Sequence, residues 1–242
     1  MATYNNPSSP SSVNMFLSCA YSFKLKYINK IKFPSGEAAQ FGSAIHKVLE
    51  MFWSEYTLYQ DIEKAMQESI NKHWDRNISD EYEDASHACL NNAMDLIKER
   101  ENILPLYVEY PCLNEEKNTI AIIDLVLPHK IIDYKTGKYY TKEAKEPAII
   151  QATMCSMNLE KLTGRNIRHV EFEYLRIKKN QYVDVTDQMI LDANLLIEKI
   201  RRDISNDVFP KNEKNCFMCD YSSICKAEKR MLSKYKLEKN NV

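Results

Sequence analysis

The stretch Ile122-Ile123-Asp124-Leu125-Val126-Leu127-Pro128-His129-Lys130-Ile131-Ile132-Asp133-Tyr134-Lys135-Thr136-Gly137 is apolar enough to be buried, yet it carries two carboxylates and an amine at strand spacing. Side chains alternate along a strand, so Asp133 and Lys135 point the same way. Pro128-His129 lies between two β-rich runs and reads as a hairpin turn. A two-residue loop there sets Leu127 opposite Lys130 and Asp124 opposite Asp133. Directly opposed residues have Cβ atoms about 4.5–5.5 Å apart. Two carboxylates that close in an apolar hairpin repel each other and lose hydration. A divalent cation removes both problems, which makes a metal site with a lysine beside it one reading. A half-exposed hairpin edge with solvated charges is the other, and this stretch alone fits both.

A chain of 242 residues fits one large domain, or one domain with a small appendage. Hydrophobic residues at 44% support a sizeable core, and only 4 Gly and 8 Pro argue against a loop-rich or all-β architecture. The net charge of −1 announces no global basic field, so nucleic-acid binding would need local patches. Lys24, Lys26, Lys30 and Lys32 near the start, and Lys226, Lys229, Arg230, Lys234 and Lys236 near the end, are the candidates. Solvated helix faces have the same composition. No apolar run approaches the ~20 residues that span a bilayer. Ala2–Ser12 lacks the regions of a signal peptide. The expected location is the cytoplasm, including that of a phage-infected cell, where thiols stay reduced.

In chain order, a Ser/Pro/Asn-rich lead-in precedes a short helix expected from Val13 to Tyr27. Phe41, Ile45, Val48, Leu49, Phe52 and Tyr56 form an apolar stripe at helical spacing, with Gly42, His46 and Trp53 along one edge. A histidine at such a border is a hydrogen-bonded core residue or a ligand facing a cleft. Helices are expected over Leu58–Arg76 and over Glu83–Leu104, the latter closed by Pro105. Period-two patterning then predicts strands at Leu106–Leu113, containing Glu109, at Asn118–Leu127 and at Lys130–Thr136. Gly137–Glu146 reads as a polar loop bearing Lys138, Tyr139, Tyr140 and Lys142. Pro147 opens a helix that Gly164 stops. Strands at His169–Ile177 and Tyr182–Val185 follow, then a helix capped by Thr186 that runs to Ile204. The middle of the chain thus reads helix, strand, strand, strand, helix, strand: an α/β fold with a mixed central sheet flanked by helices.

Cys216, Cys219 and Cys225 form a C-x2-C-x5-C knuckle, a spacing that suits one ion or one cluster face. Cys19, isolated in the N-terminal helix, is the candidate fourth ligand, which would tie the chain ends together. Zinc and iron both fit thiolates, so spacing does not choose between them. Cys89, Cys112 and Cys155 sit in apolar periodic segments and read as core residues.

The order His46, Asp124, Asp133-Tyr134-Lys135, Gln151, bracketed by Cys19 and by Cys216, Cys219 and Cys225, resembles the RecB-like iron–sulfur branch of the PD-(D/E)XK nucleases, over nearly the whole chain. The iron–sulfur members that it resembles are CRISPR-associated RecB-like exonucleases, AddB-type nuclease domains and phage relatives. The resemblance implies one nuclease domain. Within it, 1–39 and 205–242 would form a joint cluster subdomain, 40–105 a helical region, 106–185 the catalytic sheet and 186–204 a long helix. It further implies that His46, Asp124, Asp133 and the Tyr134 carbonyl bind catalytic Mg²⁺ or Mn²⁺, with Glu109 as an additional acidic position. Lys135 would orient or deprotonate the attacking water or steady the phosphate, and Gln151 would position Lys135 or the DNA backbone. The four cysteines would hold a 4Fe-4S cluster, with zinc as the alternative. The implied activity is hydrolysis of DNA phosphodiester bonds, by an exonuclease on single-stranded or frayed ends. The alternative is a non-catalytic DNA-binding or assembly subunit of a recombination, CRISPR-adaptation or phage replication complex. The chain departs from the family in having Cys155 where a Tyr is usual and Ala20 where a Pro is usual.

Overall fold

The computed structural model describes residues 5–100 and 103–226. Lys229, Arg230, Lys234 and Lys236 of the C-terminal basic run lie outside the described residues. By its internal packing the chain divides into two units: 7–10 with 35–194, and 1–6, 11–34 and 195–242.

The larger unit begins with α3 (Glu37–Tyr59), numbered after α1 (Pro10–Ser18) and α2 (Ala20–Phe23). The stripe read from the sequence is its buried face: Phe41, Ile45, Val48, Leu49 and Phe52 are each no more than 1% exposed. Burial of each such side chain contributes about 1.5–3 kcal/mol. The expected helix from Leu58 starts later. α3 ends where Gln60 turns left-handed (φ 51°), and α4 (Ile62–His73) starts behind Asp61, whose carboxylate accepts the Lys64 N–H at 2.8 Å. An N-cap of that kind satisfies a free helix donor and outranks the apolar spacing around Leu58. α5 (Glu83–Glu99) ends short of the expected Leu104.

Five strands follow in sheet order: β1 (Tyr107–Asn114), β2 (Thr119–Val126), β3 (Ile131–Lys135), β4 (His169–Tyr174) and β5 (Lys179–Asp184). Neighbours are antiparallel except β3 and β4, which are parallel. A parallel pair needs a crossover, supplied by α6 (Glu146–Thr163). Proline stands in the first turn of α6, and Gly164 ends it in the left-handed conformation (φ 71°). The expectation of a mixed sheet flanked by helices holds. One core packs α3, α4 and α5 against Leu125, Leu127, Ile132 and Tyr134. The other packs α6 against Ile123, Val126, Ile131, Val170 and Phe172 on the opposite face. The two-residue turn also holds, since the Leu127 N–H donates to the Lys130 carbonyl at 2.9 Å. The last helix, α7 (Asp187–Ser205), starts behind Thr186, whose hydroxyl accepts the Met189 N–H at 3.2 Å.

In the smaller unit the expected Val13–Tyr27 helix is broken. α1 stops at Ser18, Cys19 is extended (φ −163°, ψ 105°), and α2 runs on into a wider π-turn at Lys24–Ile28. Nothing in the apolar spacing signals this break, which turns the Cys19 backbone out of the helix. The rings of Phe16, Phe23 and Phe209 pack together. The Tyr221 hydroxyl donates to the Ile31 carbonyl at 3.0 Å.

A Cβ at Gly164 would meet nothing within 4 Å, so only its backbone conformation resists substitution. Gly164→Ala should lower stability by about 1 kcal/mol, read as a reduced thermal midpoint. An unchanged midpoint would contradict the left-handed helix end.

Candidate active site

Three adjacent strands carry a carboxylate at the same level of the sheet. The β1–β2 register, with Val108 opposite Leu125 and Tyr110 opposite Ile123, sets Glu109 against Asp124. The β2–β3 register, with Leu125 opposite Ile132, sets Asp124 against Asp133. Pairing stops at this row. Hydrogen-bonded pairs alternate along an antiparallel ladder, so the Tyr134 N–H is due at the carbonyl of Ile123. It goes instead to the Asp124 carboxylate, at 2.7 Å. On β1, Glu109 takes a left-handed backbone (φ 44°). Alternation changes phase there: Tyr110 and Cys112 face the α6 core, whereas Val108 packs with the α3 core. A non-glycine residue in that conformation costs of order 1–3 kcal/mol and is held by its surroundings.

The α3 helix brings His46 to this row. Its Nε2 lies 3.1 Å from the Tyr134 carbonyl oxygen, and its Nδ1 lies 3.5 Å from Asp124 and 3.6 Å from Glu109. Ligand atoms of His46, Glu109 and Asp124 all fall within 4.8 Å of one another. Burial alone would lower the His46 pKa, but hydrogen bonds to Asp124 and Glu109 and the surrounding negative charge carry it up to about 10. An imidazolium therefore balances the carboxylates where a cation could sit. Small residues of α3 (Ala38, Ala39 and Gly42) join His46, Glu109 and Thr136 in lining a cavity of about 510 Å³. A Cβ at Gly42 would come within 3.2 Å of the Thr136 hydroxyl.

Asp133 faces the other way, toward α6. Gln151 bridges it to the lysine: its amide donates to Asp133 Oδ1 at 2.5 Å and accepts from Lys135 Nζ at 2.9 Å. Lys135 Nζ lies 2.6 Å from Asp133 Oδ2. Burial raises the Asp133 pKa to about 6; Lys135 opposes the shift and Asp124 adds to it. The Lys135 pKa moves up, because Asp133 outweighs the opposing effect of burial. Cys155, one turn beyond Gln151, is buried beside this pair. Its thiol pKa is raised by burial first and then by Asp133 and Asp124, so it offers neither a charge nor an exposed donor.

The residues expected from sequence thus divide by contact. His46, Asp124, Glu109 and the Tyr134 carbonyl meet on one side of the row, and Asp133, Lys135 and Gln151 on the other. Sequence reasoning missed what lies beneath Tyr134. Arg100 and Glu173 form a buried ion pair near the Tyr134 phenol, whose buried hydroxyl makes no hydrogen bond among the described residues. An acid amid the apolar residues of β4 was the only hint of Glu173. Arg100 reads as one more basic residue near a helix end. In the loop after β3, Tyr139 is 92% exposed. The Tyr140 ring instead packs on Tyr174.

In the smaller unit Cys19, Cys216, Cys219 and Cys225 all line one cavity of about 610 Å³. All four thiols are free. The Asn212 N–H points at Cys19 Sγ (3.5 Å). Burial raises the Cys219 pKa, and the neighbouring Cys19 and Cys216 add to that shift. Among the described residues, no helix is long and apolar enough to cross a membrane.

Comparison with known proteins gives the family. The family model of the PD-(D/E)XK nuclease superfamily matches residues 7–226. No curated protein matches the chain. Among solved structures it is similar to the one named "Putative exonuclease" from Eubacterium rectale, with TM-score 0.50 and 11% identity over 90% of this chain and 88% of that one. The match spans the helices, the sheet and the cysteine knuckle, and on it the chain belongs to the PD-(D/E)XK nuclease superfamily.

Proposed function

We propose that the protein is a divalent-metal-dependent DNA nuclease of the RecB-like iron–sulfur branch, acting as an exonuclease on single-stranded or frayed ends. The observation that carries this reading is the row Glu109–Asp124–Asp133, flanked by His46 and the Tyr134 carbonyl on one side and by Lys135 on the other. The donor set fits a divalent ion: ligand atoms of His46, Glu109 and Asp124 lie within 4.8 Å of one another beside the Tyr134 carbonyl, and Asp133, here engaged by Lys135 and Gln151, is the adjoining buried carboxylate. His46, Asp124, Asp133 and the Tyr134 carbonyl would hold Mg²⁺ or Mn²⁺, with Glu109 as a further ligand. The bound ion supplies charge compensation at the phosphate and a more acidic water.

The chain's own residues do the rest. Lys135, held by Gln151 and Asp133, is placed to steady charge on the phosphate or to orient or deprotonate the attacking water. Gln151 fixes the lysine and the aspartate relative to each other. Tyr139, almost fully exposed, offers a ring on which an unpaired base can stack, and Lys138 and Lys142 in the same loop suit its phosphates. The name of the structural neighbour points the same way on exonuclease activity.

Four thiols lining one cavity suit a 4Fe-4S cluster, with zinc as the alternative. An N–H directed at a ligand sulfur, as from Asn212, is also a feature of iron–sulfur sites.

Asp133→Ala and Lys135→Ala should each abolish Mn²⁺-dependent cleavage of labelled single-stranded DNA while the thermal midpoint stays close to wild type. Wild-type rates in both variants would sink the assignment. Calorimetric titration of Mn²⁺ should show release of close to one proton at pH 7–8, because His46 stays protonated up to about pH 10 without metal. Affinity should therefore rise with pH across 7–9, and binding without proton release would remove His46 from the ligand set. Anaerobically purified protein should be brown and contain iron, and Cys19→Ser should lose both; a colourless, zinc-containing preparation would overturn the cluster.

A further inference from the structure

Tyr174, the last residue of β4, pairs with Lys135 across the parallel β3–β4 ladder. Two positions back, Phe172 pairs with Asp133, and Lys135 Nζ lies 5.0 Å from the Phe172 ring centroid. Alternation puts residues 172 and 174 on the face that carries Asp133 and Lys135. Tyr174 is half-buried there, and among the described residues its hydroxyl makes no hydrogen bond. Its pKa is raised by burial first, and the charges of both Lys135 and Asp133 act on it, which agrees with that placement. Tyr140 packs edge-on against Tyr174 with centroids 5.2 Å apart, and ties its own hydroxyl to the Asn180 carbonyl at 3.3 Å. The exposed Lys179 places its ammonium 5.1 Å from the Tyr140 centroid. A phenol donor, a ring that fixes it and an ammonium therefore follow one another outward from Lys135.

We propose that this array is a backbone-binding subsite: the Tyr174 hydroxyl donates to the DNA phosphate adjoining the scissile one, and Lys179 neutralises the next. The proposal rests on the nuclease reading above. The chemistry selects phosphate oxygens. A half-buried O–H beside an ammonium has a donor to give, and the Tyr140 packing leaves it little freedom to lose on binding. Neither residue contacts a base edge, so the subsite is indifferent to sequence.

The test compares wild type, Tyr174→Phe and Lys179→Ala in Mn²⁺ on three substrates. They are a labelled single strand, the same strand with one methylphosphonate next to the cleaved bond, and bis(p-nitrophenyl) phosphate, which has no neighbouring phosphate. Loss of a hydrogen bond to a charged oxygen corresponds to roughly 10- to 100-fold. Tyr174→Phe should lose that much in kcat/KM on the normal strand, and should keep wild-type activity on the small diester and a wild-type thermal midpoint. The methylphosphonate should slow wild type comparably and slow Tyr174→Phe little further. Lys179→Ala should reduce the salt dependence of single-strand binding by a slope of about 0.7. Normal kinetics of Tyr174→Phe on DNA, or an equal loss on DNA and the small diester, would overturn the subsite while leaving the nuclease reading standing. A wild-type enzyme inert on all three substrates would overturn both.

Discussion

Mutual repulsion among Glu109, Asp124 and Asp133 is the constraint around which the larger unit is built. Adjacent strands set these carboxylates side by side, and the two central ones are buried. Unbalanced negative charge in such a place would be expelled or protonated. The fold answers locally. Asp124 takes the Tyr134 N–H from the ladder, His46 carries a proton against Asp124 and Glu109, and Lys135 closes on Asp133. Even with Lys135 beside it, burial raises the Asp133 pKa to about 6. Sheet pairing gives way along this row, and the left-handed backbone of Glu109 is part of the same accommodation. Local strain and unrelieved charge of this kind are tolerable where a ligand relieves them.

Holding that row in place takes both faces of the sheet. On one side α3 must lie close enough for His46 to reach the Tyr134 carbonyl, which is why the contact between Gly42 and Thr136 has no room to spare. On the other, α6 is the crossover between two parallel strands, and its second turn delivers Gln151 between Asp133 and Lys135. The two layers converge on this one row of the sheet, so small shifts in either helix would separate charge from counter-charge. The buried Arg100–Glu173 pair fits this picture. Ion pairs of that kind add little net stability, but removing one partner leaves the other unpaired in the core, typically at 3–5 kcal/mol. It lies near Tyr134, the residue that the site addresses through both its N–H and its carbonyl.

Much of the site was legible in advance because strand and helix periods are local. Asp133 and Lys135 are two apart and share a face; the Pro128-His129 turn determines which residue opposes Asp124; Gln151 is near the start of a helix with proline at its entrance. The helix ends at Gln60 and Cys19 were not legible. There the competing forces were a side-chain cap and an extended residue, to which apolar spacing is blind. Tyr174, Arg100 and Glu173 were missed because their relevance arises from parallel pairing and from contacts between β4, β3 and the end of α5.

The sequence by itself determined the alternation that makes a buried, charged hairpin, the stripe that makes α3, and the thiol spacing of the knuckle, since each depends on neighbours within a few residues. The tertiary structure alone decided that Glu109 joins Asp124 and His46, that Asp133 turns to Lys135 and Gln151, and that Lys135 has a tyrosine beside it. Those relations join residues up to 78 apart in the chain, from His46 to Asp124. They follow from strand register and helix crossing, which long-range packing and burial set and local pattern does not encode.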